Sequence, residues 1–168
     1  FAKPHARPQE LNLLNKVIPA AASGQTEETV LQILCQEIAG YLSASHVTLV
    51  ELNESKTTGR VMAQYLGPAH KSLTGRVLEL MTDSTLLTAV VQPQTPFVVA
   101  DLSQFPLSPG MAHLVEIYRL KSALLVPISL RGSLIGIMGI GSEARHVFTN
   151  EEIRLTQTVC AELGRILE

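Results

Sequence analysis

The chain has 168 residues, 46% apolar and 17% charged, with a net charge of -2. That length suits one domain with a core of its own, so no disulfide or metal staple is needed. The near-neutral balance has no Lys/Arg run and argues against nucleic-acid binding, which needs a basic face; no stretch of ~18 apolar residues reads as a membrane span, and there is no signal peptide. Residues 1–8 carry two prolines and no periodicity, and read as a linker. Residues 9–168 read as a single domain. Leu11, Leu14, Ile18 and Ala21 then mark one helical face, which Pro19 kinks or ends. Thr26 caps a second helix with an apolar face from Val30 to Leu42. Residues 47–52 and 60–66 read as a hairpin around the polar turn 53–59. Residues 76–81 suit a short edge strand. Asp83 or Ser84 caps a short helix through Leu86, Leu87, Val90 and Val91, and 97–100 form another short strand.

Residues 101–110 form a loop rich in turn formers, and 111–119 a short helix. Residues 122–130 and 134–140 pair around Arg131-Gly132. Thr149 and Glu152 make a capping box that opens the last helix. On it Ile153, Thr156, Cys160, Leu163 and Leu167 form one stripe, and Leu155, Val159 and Ile166 a second. The two cysteines, Cys35 and Cys160, fall inside helical apolar patterns and make no CxxC pair. They read as buried free thiols of a reducing compartment, with a disulfide or a reactive thiol as the alternative.

Strand 122–130 and its partner are almost continuously apolar, whereas a sheet wet on one face would alternate. Both faces are therefore expected to be covered, one by the helices at the two ends of the sequence and the other by segments 82–92 and 101–119. A roof of short helices and loops is a natural place for a small-molecule cavity; the alternative is that it packs down solidly. Tyr65, Phe105, Met111, His113 and Tyr118 are the candidate ligand contacts, chosen because they offer stacking or hydrogen bonds. Two stripes on one helix can serve a core and a second chain. This predicts a parallel homodimer through Leu11, Leu14, Ile18, Ile153, Thr156, Cys160, Leu163 and Leu167, the alternative being that both stripes are buried in one chain.

Catalysis finds little support. His46, His70 and His146 lack metal-ligand spacing, and no nucleophile–base–orienter set is local in the sequence. Asp83 and Asp101 lack an obvious acid/base partner. Gly136, Gly139 and Gly141 lie within a strand rather than at a strand–helix junction, so close packing against a helix explains them better than a phosphate loop.

Four motifs, in order, carry a family resemblance. Residues 120–128 (LKSALLVPI) with 132–136 (GSLIG), 145–152 (RHVFTNEE) and 95–101 (TPFVVAD) resemble the patterns of GAF domains. The resemblance covers about residues 11–168. It implies an α+β fold: a mostly antiparallel sheet of five or six strands, with terminal helices on one face and a roofed pocket on the other. It implies a sensory or regulatory input module, not itself an enzyme, linked to an effector domain; because the chain opens at Phe1 without a Met and ends inside a helical pattern, it is expected to be a piece excised from a longer cytoplasmic signalling protein. The parent is expected to be a sensor histidine kinase of a two-component system; a cyclic-dinucleotide enzyme or a transcription regulator is the alternative, as is a ligandless dimerisation and relay role. GAF domains that bind a bilin attach it through a Cys-His pair, and Gly110 and Met111 stand at those places. No covalent bilin is therefore expected; nor are a metal, a nucleic acid or a membrane as partners.

Overall fold

The computed structural model describes residues 26–67, 72–79, 94–105 and 109–166, together with Gly24. The linker 1–8, the helical pattern from Leu11 to Ala21 and the short helix after Asp83 lie outside the described residues.

Helix α1 (Glu27–Leu42) starts where Thr26 Oγ accepts from the Thr29 amide, with Glu27 and Glu28 in the first turn beside the positive end of the helix dipole. It ends at Ser43, whose φ of 54° is left-handed and whose N–H returns to the Ala39 carbonyl. Strands β1 (His46–Leu52) and β2 (Thr58–Tyr65) form the first hairpin. Its turn is held by Asn53 Oδ1, which accepts from the amides of Thr57 at 2.8 Å and Thr58 at 3.1 Å. β3 (Val77–Glu79) lies beside β2, and β4 (Phe97–Val99) leads into a 3-10 turn, Leu102–Gln104. Helix α2 (Pro109–Ile117) precedes the long hairpin of β5 (Ser122–Leu130) and β6 (Ser133–Ser142). Arg131 (φ 53°) and Gly132 (φ 81°) turn it, the two consecutive left-handed residues that a tight two-residue hairpin requires. The expected capping box opens helix α3 (Asn150–Ile166): Glu152 N–H donates to Thr149 Oγ, and Thr149 N–H to Glu152 Oε1.

The six strands make one wholly antiparallel sheet in the order β3-β2-β1-β6-β5-β4. Both edges are three-residue strands, too short to template another chain. α1 and α3 cover one face, where Leu34, Ile38, Leu124, Ile128, Met138, Leu155 and Leu163 are fully buried. The opposite face carries a smaller cluster around Leu52, Leu102, Leu125 and Ile137. The α+β architecture read from the sequence is thus the one observed.

Two bulges break the strand alternation. Leu49 pairs with Ala63 but Val50 with Val61, leaving Met62 as the extra residue on β2; Ile128 pairs with Gly136 but Ser129 with Leu134, leaving Ile135 extra on β6. The expectation that the β6 glycines face a helix is corrected. A Cβ on Gly136 would stand 2.6 Å from the Val50 carbonyl oxygen of β1, and one on Gly141 would meet Leu120 at 2.8 Å. The close helix–sheet approach comes from Gly164 on α3, where a Cβ would stand 2.5 Å from the Ser129 carbonyl oxygen.

Candidate functional site

On the face away from α1 and α3 lies a cavity of about 110 Å³. Its floor is the sheet: Thr48 and Val50 of β1, Gln64 of β2, Ala123 and Leu125 of β5, Ile137 of β6. Leu114, Val115 and Tyr118 from α2 and its end form the roof, with Leu102, Leu73 and Leu78 along the sides. Gly139 of β6 and Ala123 of β5 keep the floor low, while Leu120 fills the space over Gly141. Among the described residues no Asp, Glu, Lys or Arg lines it.

The polar groups gather at one corner. Gln64 Nε2 donates to Thr48 Oγ at 3.0 Å and, more weakly, to the Tyr118 hydroxyl at 3.5 Å. Gln64 Oε1 accepts the Leu73 amide at 2.7 Å. One side chain thereby ties β1, the end of α2 and the approach to β3. Its own main chain is held from the helix layer: Gln32 Nε2 donates to the Gln64 carbonyl at 2.9 Å, and the Gln64 amide donates to Gln32 Oε1 at 3.4 Å. Gln64 stands opposite Thr48 in the β1–β2 register, so both side chains fall on the cavity side. Burial pushes the Tyr118 phenol up from its usual range, partly offset by the Gln64 hydrogen bond and by the positive charge of Arg76, so the group is a neutral hydroxyl at pH 7. The His46 ring lies 5.0 Å from that of Tyr118, and its Nδ1 is 2.8 Å from Ser45 Oγ, which accepts the Glu143 amide.

The roof is also tied to the last helix. Asp101 caps the 3-10 turn through Ser103, accepting from its hydroxyl at 2.6 Å and its amide at 3.1 Å. Its other oxygen meets Arg145 at 3.0 Å, in the connection from β6 to α3. The two Ser103 hydrogen bonds, and then Arg145, hold the Asp101 carboxyl below the ordinary Asp range. The partner that the sequence left undetermined for Asp101 is therefore a cation at the foot of α3. In that connection His146 Nε2 lies 3.3 Å from Glu152 Oε1, the capping-box carboxylate.

Of the residues proposed from the sequence as ligand contacts, Tyr118 lines the cavity. Phe105 packs edge-on to Phe97 against the cluster of the same face. Tyr65 packs against the helix-side core, and His113 is exposed on α2. Met111 lies in α2, with its side chain outside the described residues. Of the proposed dimer stripe, Thr156, Cys160 and Leu163 are buried in this chain and Ile153 is packed against the same core. Leu11, Leu14, Ile18 and Leu167 lie outside the described residues. The polar side chains that line the cavity without having been singled out as contacts are His46, Thr48 and Gln64. The sequence held one signal for Gln64: a polar residue inside the otherwise apolar run VMAQY of a strand.

Both cysteines belong to the core on the far face of the sheet. Burial pushes the Cys35 thiol up to about 12 and raises that of Cys160 further. Among the described residues there is no group of three His, Cys, Asp or Glu side chains placed to hold a metal ion, and no helix long and apolar enough to cross a membrane.

An antiparallel sheet with paired helices behind it and a roofed cavity in front is an architecture found in sensory and regulatory modules of signalling proteins. The GAF domain model matches residues 24–168, and the chain belongs to that family. Similar solved structures agree. The GAF domain of a phosphoenolpyruvate-protein phosphotransferase from Coxiella burnetii is 21% identical with a TM-score of 0.79, over 95% of this chain and 92% of that one. Its Acinetobacter counterpart is 18% identical with a TM-score of 0.75, over 96% and 94%. The phycoerythrobilin-bound GAF domain of a cyanobacterial phytochrome is 14% identical with a TM-score of 0.79, over 95% and 94%. A search of curated proteins returns no match.

Proposed function

We propose that this domain is the ligand-sensing input of a signal-transduction protein, with a sensor histidine kinase as the parent. The observation that carries the reading is the cavity, apolar over most of its wall and polar at the Gln64–Thr48–Tyr118 corner. Ligand sites combine an apolar lining with a few convergent polar groups in this way. The ligand is held without a covalent bond, because both thiols lie across the sheet and a glycine occupies position 110. A change at Leu102 in the cavity wall passes through its neighbour Asp101 to Arg145, and so to the start of α3. The domain itself does no chemistry.

Native mass spectrometry of protein made in its own host tests this, since it reports bound mass and chain number together. A bound small-molecule mass is expected. Bare protein, with Arg145→Ala still altering the output of the parent protein, would favour the second reading, a ligandless relay through the Asp101–Arg145 pair. A homodimer completes the proposal. Because Thr156, Cys160 and Leu163 are spent on the chain's own core, the second chain is met through Leu11, Leu14 and Ile18 together with exposed α3 positions such as Gln157 and Ala161. A monomer at micromolar concentration would overturn this part.

A further inference from the structure

We infer, resting on the ligand-sensing reading above, that the cavity takes an uncharged compound of about one ring, with an apolar body and a single hydrogen-bond-accepting group that meets the Thr48 hydroxyl. Three observations define this class.

The first is size. The cavity holds about 110 Å³. An apolar cavity of roughly 150 Å³ admits benzene, so this somewhat smaller space sets an upper limit of one small ring or a short branched chain and leaves no room for a nucleotide or a tetrapyrrole. The second is charge. No ionised side chain of the described residues lines the wall, and burying an unpaired ion there costs several kcal/mol. Arg76, whose charge reaches Tyr118, is itself exposed rather than part of the lining.

The third is the use of the polar atoms. Both hydrogens of Gln64 Nε2 are committed, to Thr48 and to Tyr118, and its Oε1 is engaged by the Leu73 amide. Thr48 Oγ accepts from Gln64 and so keeps its own proton to donate. Of the residues beside it on the cavity floor, Val50, Ile137 and Gly139 offer no side-chain acceptor. An ether, carbonyl or hydroxyl oxygen on the ligand supplies one. A plain hydrocarbon fits the space but leaves the hydroxyl without its bond.

Calorimetric titration of the whole domain with phenol, benzene and benzoate tests the class. Phenol is expected to bind at least tenfold tighter than either of the others. Thr48→Val, nearly isosteric, is expected to bring phenol down to the benzene level while leaving benzene unchanged. Ala123→Leu, which fills the floor, is expected to abolish both. Benzoate binding as tightly as phenol would overturn the neutral class while leaving the sensing reading intact. Equal loss of phenol and benzene in Thr48→Val would overturn the assigned donor. Failure of all three probes, with a small-molecule mass still retained by protein from its own host, would overturn the class alone; failure of the probes with no retained mass would overturn the sensing reading with it.

Discussion

The two faces of one sheet are built to different densities. Behind the sheet, α1 and α3 bring Leu34, Ile38, Leu155 and Leu163 against Leu124, Ile128 and Met138, and none of these is more than 1% exposed. In front, Val50, Leu78 and Leu120 are only partly buried around a void, as are Phe97 and Phe105 in the cluster beside it. The back face has the close packing that sets stability, and each methylene counts there. The front face gives up packing for space. Close packing and open space are thereby separated across one sheet.

The contrast is most directly broken by truncation. Ile38→Ala behind the sheet should cost about 3 kcal/mol, and Leu125→Ala in front clearly less, because the space it leaves merges with one already present. Urea denaturation of the two variants checks this; equal losses would mean that the faces are equally packed. Next in size are the glycines. Gly136→Ala forces a Cβ against the Val50 carbonyl, a backbone atom that yields only if the strand moves, and should cost about 2 kcal/mol. At Gly139 the nearest atom to the new Cβ is 3.5 Å away, so Gly139→Ala should be close to neutral by thermal melting. Removing the cap of α3 with Thr149→Ala should lower stability by about 1 kcal/mol, read in the same urea series.

The smallest expected effect concerns Asp101. Its carboxyl is held low, so what it contributes is present above the ordinary Asp value near ~3.9 and disappears as the pH falls through its folded value. An NMR titration should find it ionising below the usual range. Ser103→Ala should raise that midpoint more than Arg145→Ala, because the hydroxyl hydrogen bond it removes outweighs a cation that is 72% exposed. The reverse order would make the ion pair the main tie between roof and α3.

How much of this was legible differs by face. Local signals gave the back and the frame: the apolar run 122–130, the Arg131-Gly132 turn and the Thr149/Glu152 capping box all stand where the residues placed them. The cavity corner was hidden for two reasons. Thr48, Gln64 and Tyr118 come from three distant segments, and the Met62 bulge shifts the parity by which the face of β2 would be read from sequence. Choosing aromatic residues found Tyr118 but also took Tyr65, which the same strand turns to the helix side. The third stripe position on α3 was ambiguous in the same way: Cys160 suits a seam between chains or a core equally well, and only packing against Cys35's layer decides that it is core.

The burial of both thiols has a practical consequence. A thiol whose ionisation is pushed up to about 12, as for Cys35, stays unreactive towards alkylating reagents near pH 8 while the chain is folded. The natural protein is therefore already a silent background for site-directed labelling. A cysteine placed at exposed Glu151, at the start of α3 and off the stripe of Gln157 and Ala161, would take up a nitroxide or a fluorophore alone, without removing either native sulfur from the core. The separation between two such labels, measured with and without phenol, would follow the movement of α3 in the intact protein.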